Sequence, residues 1–543
     1  MALALPPIAE AEKTPLVLAL LDIIQQLTTQ VQQLQDEIAR LKGHPPRPTL
    51  RPSTLEAAPA PPPSPPGQRP GSDKRPKTSQ LTIHDTQRLR PADLPAGATF
   101  KGYQRYVVQD LRLTPHNTCY LLERWRSPDG RSLVGQLPPA VRAAGHFGPG
   151  LRSLVLYQHH AQQVPQPRIL TFLRELGLDL SAGQLNRLLT EGHEAFHAEK
   201  DALLPAGLAV CPYIQVDDTA ARHQGHNGFT THIGNDYFAW FATTASKSRL
   251  NFLHLLRGGA TDYRLTVEAF AWMRRQQLER GIVSRLEADA AREFVDEAAW
   301  QQHLRAVGVT DERHGRIATE AALLGSVLGH GMRADLVVLS DDAGQFDVWL
   351  HALCWVHAER NLNKVVPLSE AQRADLEAVR RELWQLYADL KAYKAHPDPA
   401  RKEALTARFE ALCGRPTCLS NLNQALKRLR HNQAELLLVL QRPEIPLHNN
   451  LSEQDIRDWV TKRKVSGGTR SALGRRCRDT FVSLRKTCRK LGLSFWEYLR
   501  DRLDGLGRLP KLATLLQQKA SAATAPPAVT SDEPNPPAGF VLA

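Results

Sequence analysis

Apolar residues at Val17, Leu20, Ile24, Leu27, Val31, Leu34, Ile38 and Leu41 alternate steps of three and four, the seam of a coiled coil. Thr14 suits the N-cap and Pro15 the first helical position, while Gln25, Gln26, Gln30, Gln32 and Gln33 keep the other faces polar. Segment 1–43 is therefore read as a helix that packs on its own protein or pairs with a second copy. The Pro, Ser, Ala, Arg and Lys of residues 44–80 cannot bury enough apolar area to fold, which sets the helix apart from any core and favours pairing.

Residues 99–113 and 118–125 are rich in β-formers and precede a Ser127-Pro128-Asp129-Gly130 turn, so 81–150 is read as a small β-containing module. Helical periodicity begins at Pro165, passes Gly177 and resumes at Ser181, and 151–205 is compatible with a helix-turn-helix that reads DNA. Three strands are expected over 209–216, 237–242 and 249–256. Helices follow over 266–331, then a buried strand at 334–339 and another at 350–356. A long helical stretch, 366–447, separates these from an amphipathic helix opening near Ser452, a Gly467-Gly468 break and a last helix over 493–503. Residues 506–543 read as a partly disordered tail.

The 543 residues exceed what one core serves, so a multidomain α/β protein is expected. No apolar run approaches the roughly 20 residues that cross a bilayer. Seven scattered cysteines suit reduced thiols, and the expectation is a cytoplasmic, nucleoid-associated protein of a bacterium. The net charge of +13 points to a polyanionic partner, and its distribution is informative: residues 457–511 hold 16 Lys/Arg against 5 Asp/Glu.

Three acids stand out against this pattern. Asp217 and Asp341 each follow a β-branched apolar run, and Glu453 opens the helix that leads into the basic segment. Two carboxylates about 4 Å apart repel by roughly 4 kcal/mol at an effective dielectric near 20, so a gathered trio calls for cations. Oxygen ligands without His or Cys point to Mg²⁺ or Mn²⁺, and two such ions at a phosphate make phosphoryl transfer on nucleic acid the reaction class. Each acid alone also fits a turn or a helix cap, Glu453 standing three residues after Asn450.

The segments Asp217-Asp218-Thr219, Ser340-Asp341-Asp342-Ala343-Gly344-Gln345-Phe346, Cys354-Trp355-Val356-His357-Ala358-Glu359-Arg360-Asn361 and Asn449-Asn450-Leu451-Ser452-Glu453-Gln454-Asp455-Ile456-Arg457, followed by Lys462-Arg463-Lys464, occur in this order. They resemble the successive motifs of insertion sequence 66 family transposases over about 165–500. The resemblance implies a ribonuclease-H-like catalytic core, a mixed sheet with flanking helices, spanning 206–365 and 448–505 and interrupted by the helical insertion. It also implies an Asp-Asp-Glu triad of Asp217, Asp341 and Glu453 as catalytic residues and metal ligands, cutting transposon ends and joining the freed 3′-hydroxyl to target DNA. Asp218 and Asp342 are second choices. His357, Cys354, Asn449, Asn450 and Arg457 are supporting pocket residues.

The pattern departs from the family at His448, where an Asp is usual, and in lacking an N-terminal Cys-rich motif, so zinc is not expected. Lys462, Arg463, Lys464, Arg470, Arg475 and Arg476 are expected to meet DNA phosphates, with Gly467-Gly468 permitting close backbone approach. The expected partners are double-stranded DNA, as terminal inverted repeats and target, a second copy through the coiled coil, and small accessory proteins. A nuclease or junction resolvase on the same core, and a DNA-binding protein with a decayed site, are the rival readings.

Overall fold

Alternating and buried apolar runs settle into five strands that make the central sheet: β1 (Tyr213–His223), β2 (His226–Gly234), β3 (Ala239–Thr244), β4 (Val337–Ser340) and β5 (Leu350–Leu353). Their order is β3-β2-β1-β4-β5. β1, β2 and β3 pair antiparallel, while β4 lies parallel to both β1 and β5. The parallel strand β4 reads Val-Val-Leu-Ser and is wholly buried, as expected for a strand covered on both faces. The computed structural model describes residues 14–524 except 25, 28–29, 31–81, 96, 139–140 and 143–144.

Two sequence expectations shift here. The first strand begins at Tyr213 and runs six residues past Asp217, because its second half forms a hairpin with β2 through Gln224 and Gly225, both at positive φ (50° and 80°). Residues 249–256, expected as a strand, are the helix α5 (Arg249–Arg257): Ser248 caps it by accepting from the Asn251 N–H, and its buried face is Phe252, Leu253 and Leu256.

Helices flank the sheet. Before it come α1 (Pro149–His160), α2 (Gln166–Glu175), α3 (Ala182–Thr190) and α4 (Glu194–Val210). Ser181 closes a full capping box with Gln184 at the start of α3, at the residue where the periodicity predicts it. Between α5 and β4 three short helices lead to α6 (Glu312–Gly329). After β5 come α7 (Trp355–Leu362), the insertion helices α8 (Glu370–Ala395), α9 (Pro399–Gly414) and α10 (Ser420–His431), then α11 (Asn450–Ser466), α12 (Ala472–Leu491), α13 (Phe495–Leu503) and α14 (Leu512–Thr524).

The outer edge of β3 is covered by α12, whose polar residues replace a missing strand. Asp479 accepts from the Thr243 N–H at 2.9 Å, Ser483 Oγ from that of Phe241 at 2.9 Å, and Thr487 Oγ1 from that of Ala239 at 3.1 Å. Their spacing of four puts all three on one helix face, which removes an aggregation-prone edge.

The insertion has its own core, built from Leu376, Leu383, Leu390, Phe409, Leu422 and their neighbours. Trp355, fully buried, joins it to the sheet: its indole donates to Leu436 O at 2.9 Å and its backbone N–H to Leu447 O at 2.9 Å. Part of the expected tail is packed too, since α14 seats Leu512 and Leu516 in the main core.

The β-rich reading of 99–125 is corrected. The only strands there and just beyond are Arg124–Arg126 and Ser132–Val134, one short hairpin, and Phe100, Tyr106 and Leu121 are exposed because no neighbouring strand pairs with this stretch. Residues 15–24 are helical as expected, and Thr14 Oγ1 accepts from the Val17 N–H. Asp22 and Gln26 both reach Ser420 of α10, at 2.9 and 3.1 Å, so this helix touches its own insertion. The second half of the predicted coiled-coil seam, Val31, Leu34, Ile38 and Leu41, and the 44–80 linker lie outside the described residues. Among the described residues no helix is long and apolar enough to cross a membrane.

Candidate active site at the β1, β4 and α11 junction

Parallel pairing brings Asp217 and Asp341 to the point where the β1–β4 ladder ends. Gln215 of β1 is in register with Leu339 of β4, so Asp217 lies two residues past that pair and Asp341 one residue past the end of β4. The Asp217 carboxylate accepts from the Asp218 N–H at 2.7 Å, and that of Asp341 from the Ala343 N–H at 3.2 Å. Burial pushes the Asp217 carboxyl well above the usual carboxylate range, and the negative charges of Asp341, Asp218 and Glu453 push the same way, outweighing the Asp218 N–H.

Glu453 is delivered to this point by the first turn of α11, and the residues around it explain how. Asn449 Nδ2 donates to Val216 O at 2.9 Å, next to Asp217, and the Asn449 N–H donates to Cys354 Sγ at 3.2 Å. Ser452 Oγ pairs with His232 Nδ1 at 2.7 Å, and His232 stands opposite Asp217 in the β1–β2 register. One turn on, Asp455 lies 3.2 Å from His232 Nε2, 3.2 Å from Lys486 and 2.9 Å from Lys490, and these partners hold its carboxyl far below the usual range against the opposing effect of burial. The Asn-Asn-x-Ser-Glu-x-Asp block thus fastens a helix end to the strand carrying Asp217. Asn450 is its first helical residue, half-buried.

Unlike Asp217, Glu453 has cationic company. Arg360 donates to it at 2.9 and 3.4 Å, His357 Nε2 is 3.4 Å away, and the exposed Arg457 is at 3.8 Å. Burial, with the Arg360 and Lys364 charges, lowers the His357 pKa despite Asp341 and Glu453, so the ring is neutral near pH 7 and its Nε2 accepts from Arg360 at 3.1 Å. Cys354 is buried beneath, its thiol pushed up to about 11 by burial. Its role is packing and an Asn449 contact. Arg360, His232, Ser452 and Asp455 were missed as site residues, although Arg360 stands three residues after His357 on the same helix face.

The second acids of each pair have other partners. Asp218 accepts from Gln345 Nε2 at 2.7 Å. Asp342, at φ 78°, is gripped by Arg428 at 3.0 and 2.6 Å and by Asn432 at 3.3 Å, both from the insertion. A small cavity of about 30 Å³ lies between α7 and α10 and is lined by Asp341, Asp342, His357, Asn361, Arg428 and Asn432, with Leu353, Leu362 and Leu429 among its apolar walls.

Among the described residues no group of three or more His, Cys, Asp and Glu side chains is arranged to hold one metal ion. The strand side nevertheless fits a cation: Asp217 is a buried carboxyl beside other acids, and its ionised form has no positive partner among the charges that bear most on it. Glu453 fits one only after leaving Arg360.

A family model described as the Transposase IS66 family matches residues 144–263 and 332–476. An uncharacterized protein, y4jO, of Sinorhizobium fredii is 47% identical over 322 residues, 59% of this chain and 100% of that relative. The chain belongs to the IS66 transposase family. In this transposase-family chain the two matched segments hold Asp217, Asp218, Asp341, Asp342, Glu453 and Asp455, and the unmatched 264–331 between them is the helical block ending in α6.

The basic stretch of this family member needs two corrections. Lys462 is 3% exposed and faces inward: its ammonium donates to His159 O at 2.7 Å, and burial, with the Arg478 and Arg485 charges, pushes its pKa down to about 7. Gly468 does permit a close backbone approach, but to the protein itself. A Cβ there would stand 2.5 Å from Arg222 O, where Thr469 N–H bonds to Arg222 O and Gln224 N–H to Thr469 O. Arg463 donates to Ala220 O. Lys464, Arg470 and Arg476 are exposed, and Arg475 is half-buried.

Proposed function

We propose that this chain is a transposase of the Asp-Asp-Glu type, with Asp217, Asp341 and Glu453 as its catalytic acids and metal ligands. The observation that carries the reading is convergence: Asp341 follows β4 beside the Asp217 strand, and Asn449 and Ser452 fasten the helix end bearing Glu453 to Val216 and His232 of the same sheet. The strand order β3-β2-β1-β4-β5, three antiparallel strands followed by two parallel ones, supports a ribonuclease-H-like core over 206–365 and 448–505 with 366–447 as a helical insertion. Family membership implies that the partner is DNA.

Two Mg²⁺ or Mn²⁺ ions, when bound, would activate the attacking oxygen and stabilise the leaving oxygen of a phosphodiester. Asp217 and Asp341 hold the strand side of such a site and Glu453 the helix side. Asn449, Ser452 and Asp455 set the distance between the two sides through Val216 and His232. His357, neutral, orients Arg360. Lys464, Arg470, Arg475 and Arg476 follow the DNA backbone, Arg463 less directly, and Lys462 does not. Pairing of two copies through 1–43 completes the proposal.

The test is purified protein with Mg²⁺ and a DNA carrying the element's ends. Cleavage followed by joined product is expected, with loss of at least about 10³-fold for Asp217→Asn, Asp341→Asn and Glu453→Gln, the scale of removing metal and electrostatic assistance. Hydrolysis without joining would favour a nuclease or resolvase, and mobility in cells untouched by all three changes would favour a decayed DNA-binding protein. Deletion of 1–43 without change in solution mass would remove the pairing proposal.

A further inference from the structure

Arg360 has a geometry that a metal ligand's partner cannot keep. Its guanidinium engages both oxygens of Glu453, Nη1 at 2.9 Å from Oε1 and Nη2 at 3.4 Å from Oε2, while Nη1 also reaches His357 Nε2 at 3.1 Å. Both side chains are largely shielded from water, 22% and 16% exposed, so the attraction is weakly screened. The other cation near Glu453, Arg457, is 72% exposed and 3.8 Å away, which leaves Arg360 as the dominant counter-charge.

A carboxylate whose two oxygens are held by a guanidinium has few lone pairs left for a divalent ion, and the ion would sit beside a like charge. Glu453 can join Asp217 and Asp341 in one site only if Arg360 lets go. The strand-side acids create the opposite demand, because the charges that bear most on Asp217 are negative. Arg360 sits on α7, whose His357 and Asn361 line the cavity together with Asp341, so a released guanidinium stays on the helix that borders the acids.

We propose that Arg360 is an exchangeable positioning residue: it holds Glu453 until a divalent ion displaces it, and then turns its planar fork to the phosphate being cut. This rests on the reading of the three acids as a metal site. The exchange couples metal loading to DNA engagement, since the guanidinium given up by Glu453 finds its next anion on the substrate. No proton or electron is transferred in the exchange.

Manganese titration of the full-length protein without DNA, by calorimetry, tests the first half. Arg360→Gln should bind Mn²⁺ more tightly than wild type by about tenfold, the scale of one charge-assisted pair, and Arg360→Lys should fall between them. A purely structural role for Arg360 would leave the affinity unchanged or weaken it, and either result in both variants overturns the proposal. Cleavage at saturating Mn²⁺ tests the second half: Arg360→Gln should be slower than wild type by about 10² or more. An unchanged rate would overturn the hand-over to phosphate. Failure of the underlying metal site looks different, because then wild type itself binds no Mn²⁺, or Asp217→Asn binds it as well as wild type does.

Discussion

The two sides of the candidate site are built on opposite electrostatic terms. On the helix side each acid of α11 has a cation: Glu453 has Arg360, Asp455 has Lys486 and Lys490, and Asp458 has Arg485 and Lys486. On the strand side Asp217 is pressed by other acids and supported by one backbone N–H. The helix side is thereby fixed in place without any ligand, whereas the strand side is held by sheet pairing and left wanting positive charge. Rigidity and reactivity are assigned to different elements, which lets a site carry unfavourable charge without loosening the fold.

The sharpest way to break this contrast is at Asp455. Asp455→Ala leaves Lys486, Lys490 and His232 around an emptied buried position and should destabilise the protein by about 3–5 kcal/mol in chemical denaturation. The pH dependence has a definite sign. The folded carboxyl titrates below its unfolded value, so the stability it supplies is present above about pH 4 and lost as pH falls through the depressed value. A loss under about 1 kcal/mol would mean that the network does not anchor α11.

Lys462 tests whether the helix side is uniformly well matched. Its ammonium is buried against a carbonyl with no acid partner in contact, so Lys462→Met should raise stability at pH 7 by about 1–2 kcal/mol. Between its folded value of about 7 and the ordinary 10.5, the unfolded chain binds a proton that the folded chain does not. Wild-type stability therefore rises with pH across that window through this group, and the variant should lose that slope. DNA affinity should be unchanged in Lys462→Met, whereas Lys464→Ala should reduce the slope of log affinity against log salt by about 0.9. A shallower salt slope for Lys462→Met would return that residue to the DNA face.

On the strand side the sign reverses. Asp217 titrates above its unfolded value, so from about pH 4 upward the folded chain holds a proton that the unfolded chain has released, and stability falls as pH rises to the raised value. Asp217→Asn should remove that fall and be more stable than wild type at pH 7 in chemical denaturation, while eliminating cleavage. A variant less stable than wild type at neutral pH would show that the carboxylate is stabilised where it stands.

These two sides were unequally legible in the sequence. Apolar runs announce β1 and β4 because parallel strands are buried on both faces, and the Ser181 and Glu453 helices carry local start signals. β2 gives no such signal. Its buried positions are Gly228, Thr230, Thr231, His232, Ile233 and Gly234, mostly polar or glycine, and Thr230 and His232 pair with residues outside the strand, Thr243 and Ser452. Residues 249–256 alternate well enough for a strand, and only the Ser248 cap and packing against α6 decide for a helix. The inward course of Lys462 was readable in principle: Ser452, Asp455, Ile456, Trp459 and Lys462 fall at helical spacing on the buried face of α11. The composition of a basic run conceals which of its members face in.

Asp342 is the exception that bounds the comparison, a strand-side acid that does have a cation. Arg428 reaches it across from α10 with two bonds, and Asn432 adds a third, while the Asp342 backbone sits at φ 78°, a conformation that non-glycine residues seldom adopt. The insertion therefore grips the residue next to Asp341 and holds its loop in a strained turn. Because the Arg428 side chain is 61% exposed, its electrostatic contribution is screened, and Arg428→Ala should change global stability by less than about 1 kcal/mol. Its effect on cleavage should be larger than that, about tenfold or more, since a misplacement of Asp341 by a fraction of an ångström acts on the reacting geometry and not on the core. Restoring a cation with Arg428→Lys should recover part of the rate, because one ammonium replaces the charge but not the two-bond grip. Equal losses in Lys and Ala variants would assign the effect to the planar fork. No loss in either would detach the insertion from the site and leave Asp341 positioned by β4 alone.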